Sequence, residues 1–343
     1  MSVVPPVSLS VRPEFLVATK EIRNKIGLEV HALKNVQLND ARVHIQSPSK
    51  DEDLANPGTI QLQLAKNQAR TYEVDGPAFP ASGPLNYYVK SNSADYGQNM
   101  IAIRHDHIPS IIYFKPVQVP LASMQLATYG KRIGYIIGAG DKVPQALEQM
   151  GYDVTLLTDK ELSRNSLTQF DAIMTGVRAY NTNEWMNNHY DKLMKYVSDG
   201  GNLIVQYNTS NNIGPVRAKI SPYNFTIARQ TRITDENAPV TLLKSDHAVL
   251  NFPNKITQED FRGWVQERSI YHAAGWDSTK FETVISMQDP GEKPDAGGLI
   301  IARHGKGVFV YTGLVFFREL PAGVPGAYRL LANIIALNRK KSF

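Results

Sequence analysis

Three short polar runs stand at the ends of apolar segments in this 343-residue chain: Gly138-Ala139-Gly140-Asp141, Gly176-Val177-Arg178-Ala179-Tyr180-Asn181 and Gln206-Tyr207-Asn208. Together they offer a guanidinium, two phenols and three amides, with no paired carboxylate. That set suits hydrogen bonding to a neutral or anionic polar ligand better than proton transfer. Arg178 reads as a clamp for an anion or as the partner of an acidic neighbour. Tyr207 or Asn208 falls where a strand-to-helix elbow would present a nucleophile, and neither side chain is easily activated. Gly138-Ala139-Gly140-Asp141 reads first as a tight turn before a helix. It is not the dinucleotide fingerprint, because Pro144 stands where a third glycine is needed.

Other residues could supply an acid, a base or a stacking surface. His247, Glu267 and His272 are the acid or base candidates in the second half of the chain. Trp264, Tyr271 and Trp276 with Arg268 could form a sugar-stacking wall, and core packing explains two of the three rings equally well. Arg318 precedes a Pro/Gly loop that could carry it towards the strand-end runs. His105 and His107, two apart on a strand end, could face the same side, and no third metal ligand accompanies them. Zero cysteines exclude thiolate metal sites, disulfides and cysteine nucleophiles together. No cofactor is implied.

The elements that must position these residues change character along the chain. Segments at 28–33, 41–46, 59–65, 85–90 and 100–108 alternate with period two, and polar or Pro/Gly stretches at 47–57 and 75–84 separate them. This predicts an antiparallel, immunoglobulin-type sandwich of roughly seven strands over residues 1–116. Phe114–Ala127 reads as an extended linker, with 117–130 between domains. After it, strands at 131–138, 153–158, 170–176 and 202–208 alternate with helices at 143–152, within 159–170 and over 183–201. That order predicts a doubly wound, flavodoxin-like α/β domain over 131–343. Ligands of such sheets bind beyond the carboxyl ends of the strands, where the three polar runs lie. Residues 298–314 read as a hairpin turned at 304–307, and 326–338 as a closing amphipathic helix.

Composition narrows the partners. Hydrophobic residues make up 42% of the chain, enough to build cores in two domains. No apolar run reaches the roughly 20 residues that span a bilayer, and the start lacks the basic-then-apolar pattern of an export signal. A soluble chain is expected. The net charge is +5, but the basic residues are scattered, and only Arg339-Lys340-Lys341 forms a run. A terminal run of this kind reads as a solvated tail, not as a nucleic-acid patch.

The strings RIGYIIGAGDKVPQALEQMGYDVTLL, FDAIMTGVRAYN, GGNLIVQYN, PNKITQEDFRGWVQER and YTGLVFFRELPAGVPGAYRLLANIIAL resemble the C-terminal region of large bacterial PIG-L-type de-N-acetylases over most of 131–337. The preceding segment, including IRHDHIP, is similar to the domain before that region. The resemblance implies a class I glutamine-amidotransferase-like shape for the second half. In that family the zinc-dependent deacetylase chemistry belongs to a separate domain with an A-H-P-D-D-E type motif, and none of the eight histidines here precedes Pro-Asp-Asp. Amidotransferases of this shape need a cysteine at the elbow, which this chain lacks. The implied role is a non-catalytic accessory module that binds a carbohydrate or cell-envelope ligand, or docks to a deacetylase domain, with export to the periplasm typical of full-length relatives. Two other readings stay open: a hydrolase using His247, Glu267 or His272 near the strand-end loops, and a structural spacer or dimerisation module.

Overall fold

The computed structural model describes the chain except residues 1–3, 23, 47–52, 56–58, 78, 80–82, 92–93, 211–214 and 340–343. The basic pair Lys340-Lys341 and much of the 47–57 separator lie outside the described residues. The chain divides into two compact units, Met1–Gln125 and Leu126–Phe343. It is rich in β structure with few long helices, and no helix among the described residues is long and apolar enough to cross a membrane.

In the first unit, Val7–Arg12, Lys25–Ala32 and Ala69–Asp75 form one antiparallel sheet. Val36–Gln46 and Leu85–Lys90 centre a second. Period-two patterning explains the arrangement: Ile26, Leu28, Val30 and Ala32 are buried while their neighbours are not, and Val43, Ile45, Tyr87 and Val89 join them in one core. Two expectations are corrected here. The segment read as a linker is largely strand: Gln118–Val119 pairs with Leu85–Asn86, and Leu121–Ser123 runs parallel to Leu16–Ala18. The unit therefore ends at Gln125, not at 116. The 100–108 segment forms an exposed ribbon, in which Gln98–His105 pairs with Ile108–Pro116 as a separate two-stranded sheet. His105 and His107 stack at 5.7 Å on its turn, and no group of three metal-ligating side chains occurs among the described residues.

The second unit is built on a mixed sheet. Its strands are β1 (Arg132–Ile136), β2 (Asp153–Leu156), β3 (Ala172–Thr175), β4 (Asn202–Gln206), β5 (Phe281–Thr283), β6 (Leu299–His304) and β7 (Gly307–Thr312). The seven lie in the order β2-β1-β3-β4-β7-β6-β5. Pairing from β2 through β7 is parallel, and β6 and β5 add on antiparallel. The 304–307 hairpin is present, and its second strand, β7, closes the parallel set beside β4.

Helices cover both faces of the sheet. They are α1 (Val143–Gln149), α2 (Asp159–Arg164), α3 (Ala179–Thr182), α4 (Tyr190–Ser198), α5 (Ala248–Asn251), α6 (Phe316–Ala322) and α7 (Pro325–Ile335). Successive residues of β4 point to opposite sides. Leu203 and Val205 join Leu193 and Val197 of α4 in one cluster, while the Asn202 side chain donates to the Ile334 and Ile335 carbonyls at 2.8 and 3.0 Å, capping the end of α7. The helix expected over 183–201 is shorter: Glu184–His189 is a 3₁₀ stretch before α4. His189 is held there by Asp159, 2.6 Å from its Nε2. Gly200, at φ 119°, supplies the left-handed residue that ends α4.

Candidate functional site

The carboxyl ends of β1, β3 and β4 are bound together by backbone contacts that only small residues permit. A Cβ on Gly138 would meet the Val177 carbonyl oxygen at 2.1 Å, and one on Gly176 would meet the Gly138 nitrogen at 2.8 Å. Asp141 fastens the two loops. Its carboxylate accepts the Tyr135 hydroxyl at 2.6 Å, the Val143 N–H at 3.0 Å and the Val177 N–H at 3.1 Å. Gln206 extends the network, donating to Tyr135 Oη at 3.0 Å and to the Thr175 carbonyl at 3.2 Å. Gly138, Asp141 and the Gln206 amide nitrogen are therefore consumed in holding the loops, while Gln206 Oε1 is buried without a hydrogen-bond partner among the described residues. Gly140, at φ 102°, makes the turn.

A second set of reciprocal bonds locks the ends of β3 and β4. Asn208 Oδ1 accepts the Tyr180 N–H, Asn181 Nδ2 donates to the Thr209 carbonyl, and Thr209 N–H donates to Asn181 Oδ1, each at 2.9 Å. Tyr180, Asn181 and Asn208 are buried. As ligand contacts, these three are corrected to internal fasteners.

The strained strand-to-helix elbow stands after β3, not at Gln206-Tyr207-Asn208 as the sequence suggested. Arg178 sits at φ 60° and ψ 22°, in the left-handed region, between β3 and α3. Its N–H donates to the Tyr207 carbonyl at 2.8 Å, and its carbonyl accepts the Asn181 and Thr182 N–H groups. The neighbouring Val177, pinned by Asp141 and Ala139, completes the constraint. A non-glycine residue held this way is a local cost that the surroundings enforce, a pattern that clusters at functional sites. Arg178 Nε is buried without a hydrogen-bond partner among the described residues.

Around Arg178 the structure gathers a half-buried platform. Tyr207 stacks on Tyr271 with ring centroids 5.5 Å apart and an 8° interplanar angle, and Phe317 approaches Tyr207 at 5.4 Å. Arg318 lies over the Phe317 ring and donates through Nη1 to Gln266 Oε1 at 2.7 Å. Its Nε is 2.9 Å from Glu267 Oε1, an ion pair close in distance although the N–H is not aimed at the oxygen. Burial raises the Tyr207 pKa above the ordinary phenol value, and the charges of Arg178, Arg318 and Glu267 all reach its hydroxyl. Tyr207 is thus a neutral hydroxyl between two guanidiniums and one carboxylate. Gln266 and Tyr271 also hold positive φ, at 71° and 50°. Three of the four non-glycine residues with positive φ among the described residues therefore border this one surface.

The remaining candidates go elsewhere. His247 caps α5, its Nδ1 accepting the Val249 N–H at 3.1 Å, and its Nε2 faces Glu282 of β5 at 4.0 Å. Since β5 lies three strands from β4, His247 is displaced sideways by about 14 Å at usual strand spacing, outside a general base's reach. Arg268 is buried and spends its guanidinium on the Ala238 and Phe261 carbonyls and the Trp264 ring. Trp264 is buried and donates to the Asp260 carbonyl, and Trp276 packs on the sheet core, so only Tyr271 of the expected wall reaches the platform.

His272 has the composition of a catalytic triad without its access. Its Nε2 lies 2.6 Å from Ser269 Oγ, its Nδ1 hydrogen-bonds Asp295, and both Ser269 and His272 are fully buried. Gly298 and Gly313 press on the imidazole, where a Cβ would come within 3.4 Å. No substrate atom can reach Ser269 there, and the chain works as an internal brace. It stands next to Tyr271, whose carbonyl also accepts the Tyr311 hydroxyl at 2.8 Å.

Sequence reasoning missed Phe317, Gln266 and the Ser269–His272–Asp295 brace. Phe317, Gln266 and Asp295 join through contacts distant in sequence, and positive φ at a non-glycine leaves no compositional mark.

No family profile and no curated protein matches the chain. Among solved structures, a cold-adapted β-galactosidase from Rahnella sp. R3 is similar at 13% identity over 59% of this chain and 31% of its own, with a TM-score of 0.35. A cycloisomaltooligosaccharide glucanotransferase from Paenibacillus sp., complexed with cycloisomaltoheptaose, is similar at 10% identity over 59% of this chain and 27% of its own, with a TM-score of 0.21. The chain spans less than a third of the length of either.

Proposed function

We propose that this chain is a non-catalytic accessory module that binds a carbohydrate or cell-envelope ligand on the platform formed by Arg178, Tyr207, Tyr271, Phe317 and Arg318. The observation that carries the reading is Arg178 itself. A guanidinium, which cannot act as a nucleophile, occupies the strained elbow beside two stacked tyrosines. Tyrosine rings and hydroxyls suit the mixed apolar and polar surface of a sugar. In this reading the first unit is an immunoglobulin-like sandwich, the second has an amidotransferase-like shape, and the module serves a PIG-L-type N-acetylglucosamine deacetylase whose catalytic domain is a docking partner. The hydrolase alternative loses support, because Glu267 is ion-paired to Arg318, His272 is sealed, and His247 is remote.

Thermal unfolding with N-acetylated and free amino sugars, short glycans and uronic acids tests the reading. A ligand at roughly 100 times its Kd stabilises by about 2.7 kcal/mol, a measurable shift in Tm. The expected result is a saturable shift with one sugar class that the double variant Tyr207→Ala, Tyr271→Ala removes while it stays folded. No shift with any saccharide, or a shift untouched by the double variant, contradicts it.

A further inference from the structure

Resting on that binding reading, we infer that the platform takes an acidic saccharide, a sugar ring bearing a single carboxylate, with Arg178 as its anion-binding residue. The inference starts from charge balance. Arg178, Arg318 and Glu267 all act on the Tyr207 hydroxyl, and of the two guanidiniums only Arg318 has a carboxylate within ion-pair distance. Glu267 lies 2.9 Å from Arg318 Nε and is already engaged. Arg178 has no ion-pair partner among the described residues, and its Nε is buried and unpartnered. Arg178 is partly exposed, so its guanidinium is open to a ligand, and no carboxylate among the described residues forms an ion pair with it. A ligand anion can take that place.

The backbone supports the same assignment. Arg178 is held in a conformation that an arginine disfavours by its own N–H bond to Tyr207 and by the Asp141 clamp on Val177. The fold therefore fixes where this side chain starts, directly beside Tyr207. One guanidinium without an ion-pair partner matches a monoanion, and the adjacent Glu267 carboxylate opposes a dianion such as inorganic phosphate. A carboxylate also fits the planar guanidinium fork, which can donate two parallel N–H bonds to its oxygens. The hydroxyls of Tyr207 and Tyr271, without hydrogen-bond partners among the described residues, are left to meet ring hydroxyls.

The test is calorimetric titration at constant ionic strength with D-glucuronate, D-glucose, N-acetylglucosamine, acetate and inorganic phosphate. It uses the wild-type chain, Arg178→Gln and Arg178→Gly. Wild type is expected to bind glucuronate at least about tenfold tighter than glucose, the worth of one charge-assisted hydrogen bond. Both variants are expected to lose that preference. Arg178→Gly guards against misfolding, since glycine adopts φ 60° without strain. Equal affinity for glucuronate and glucose, or an unchanged preference in Arg178→Gln, overturns the inference and leaves the binding-module reading standing. Acetate or phosphate binding as tightly as glucuronate overturns the saccharide part, because the site then takes an anion alone. Failure of every sugar, neutral or acidic, removes both.

Discussion

Glu319 shows how a single residue couples the platform to pH. It is fully buried on α6, and both its carboxylate oxygens accept the Val265 N–H, at 3.0 and 3.3 Å. Burial is the main cause that pushes its pKa up to about 8 from an ordinary 4.5. Val265 leads directly into Gln266 and Glu267, which hold Arg318, so the state of this carboxyl bears on the loop that edges the site. Because the folded-state pKa lies above the unfolded one, the native state binds the extra proton between pH 4.5 and 8, and stability falls as pH rises through that window. Asp171, Asp289 and Asp295 act oppositely: their pKa values are lowered, and their contribution is lost as pH drops below the ordinary carboxylate range. Glu319→Gln is expected to flatten the neutral-to-alkaline slope and to exceed wild type by at least about 1 kcal/mol at pH 9, since one pKa unit is worth about 1.4 kcal/mol. Urea unfolding at pH 5, 7 and 9 checks this. An unchanged slope in the variant would place the pH dependence elsewhere.

At the scale of elements, the loops after β1 and β3 depend on how closely two backbones approach. Gly138→Ala is expected to destabilise by about 1–3 kcal/mol, the usual cost of forcing extra volume into a packed contact. The added Cβ would meet the Val177 carbonyl, backbone that cannot swing aside. Gly140→Ala meets nothing within 4 Å and suffers only from φ 102°, a smaller loss of about 1 kcal/mol. Comparing urea midpoints separates the two, and equal costs would contradict the close-approach account.

The elements themselves were largely legible in the sequence. The period-two runs of the first unit and the apolar strands preceding helices in the second are local patterns, and they recur near the expected positions. The 117–130 segment was misread because Pro116 and Pro120 suggest a linker, whereas its backbone finds partners in strands read much earlier. The site was legible only in part. Arg178, Tyr207 and Arg318 drew attention through residue type and strand-end placement. The polar Tyr180, Asn181, Gln206 and Asn208 looked identical in kind, and only the hydrogen bonds between loops distinguish a fastener from a free donor. Arg268 and His272 misled for the same reason, because burial was not visible in their spacing.

For the molecule as a whole, a β-rich first unit precedes a mixed seven-stranded sheet with helices on both faces, and the candidate surface belongs to the second unit alone. Cysteine is absent throughout, the strained elbow carries an arginine, and Ser269 and His272 of the serine–histidine–aspartate chain are fully buried. On the proposed reading, these features favour binding at the strand ends. Amide chemical-shift mapping of the whole chain during a glucuronate titration tests that claim most directly. The account predicts saturable shifts clustered at Arg178, Tyr207, Gln266–Tyr271 and Phe317–Arg318, with the sandwich unit and the His247 region unmoved. Shifts clustered in the sandwich unit or around His247, with the platform silent, would contradict it.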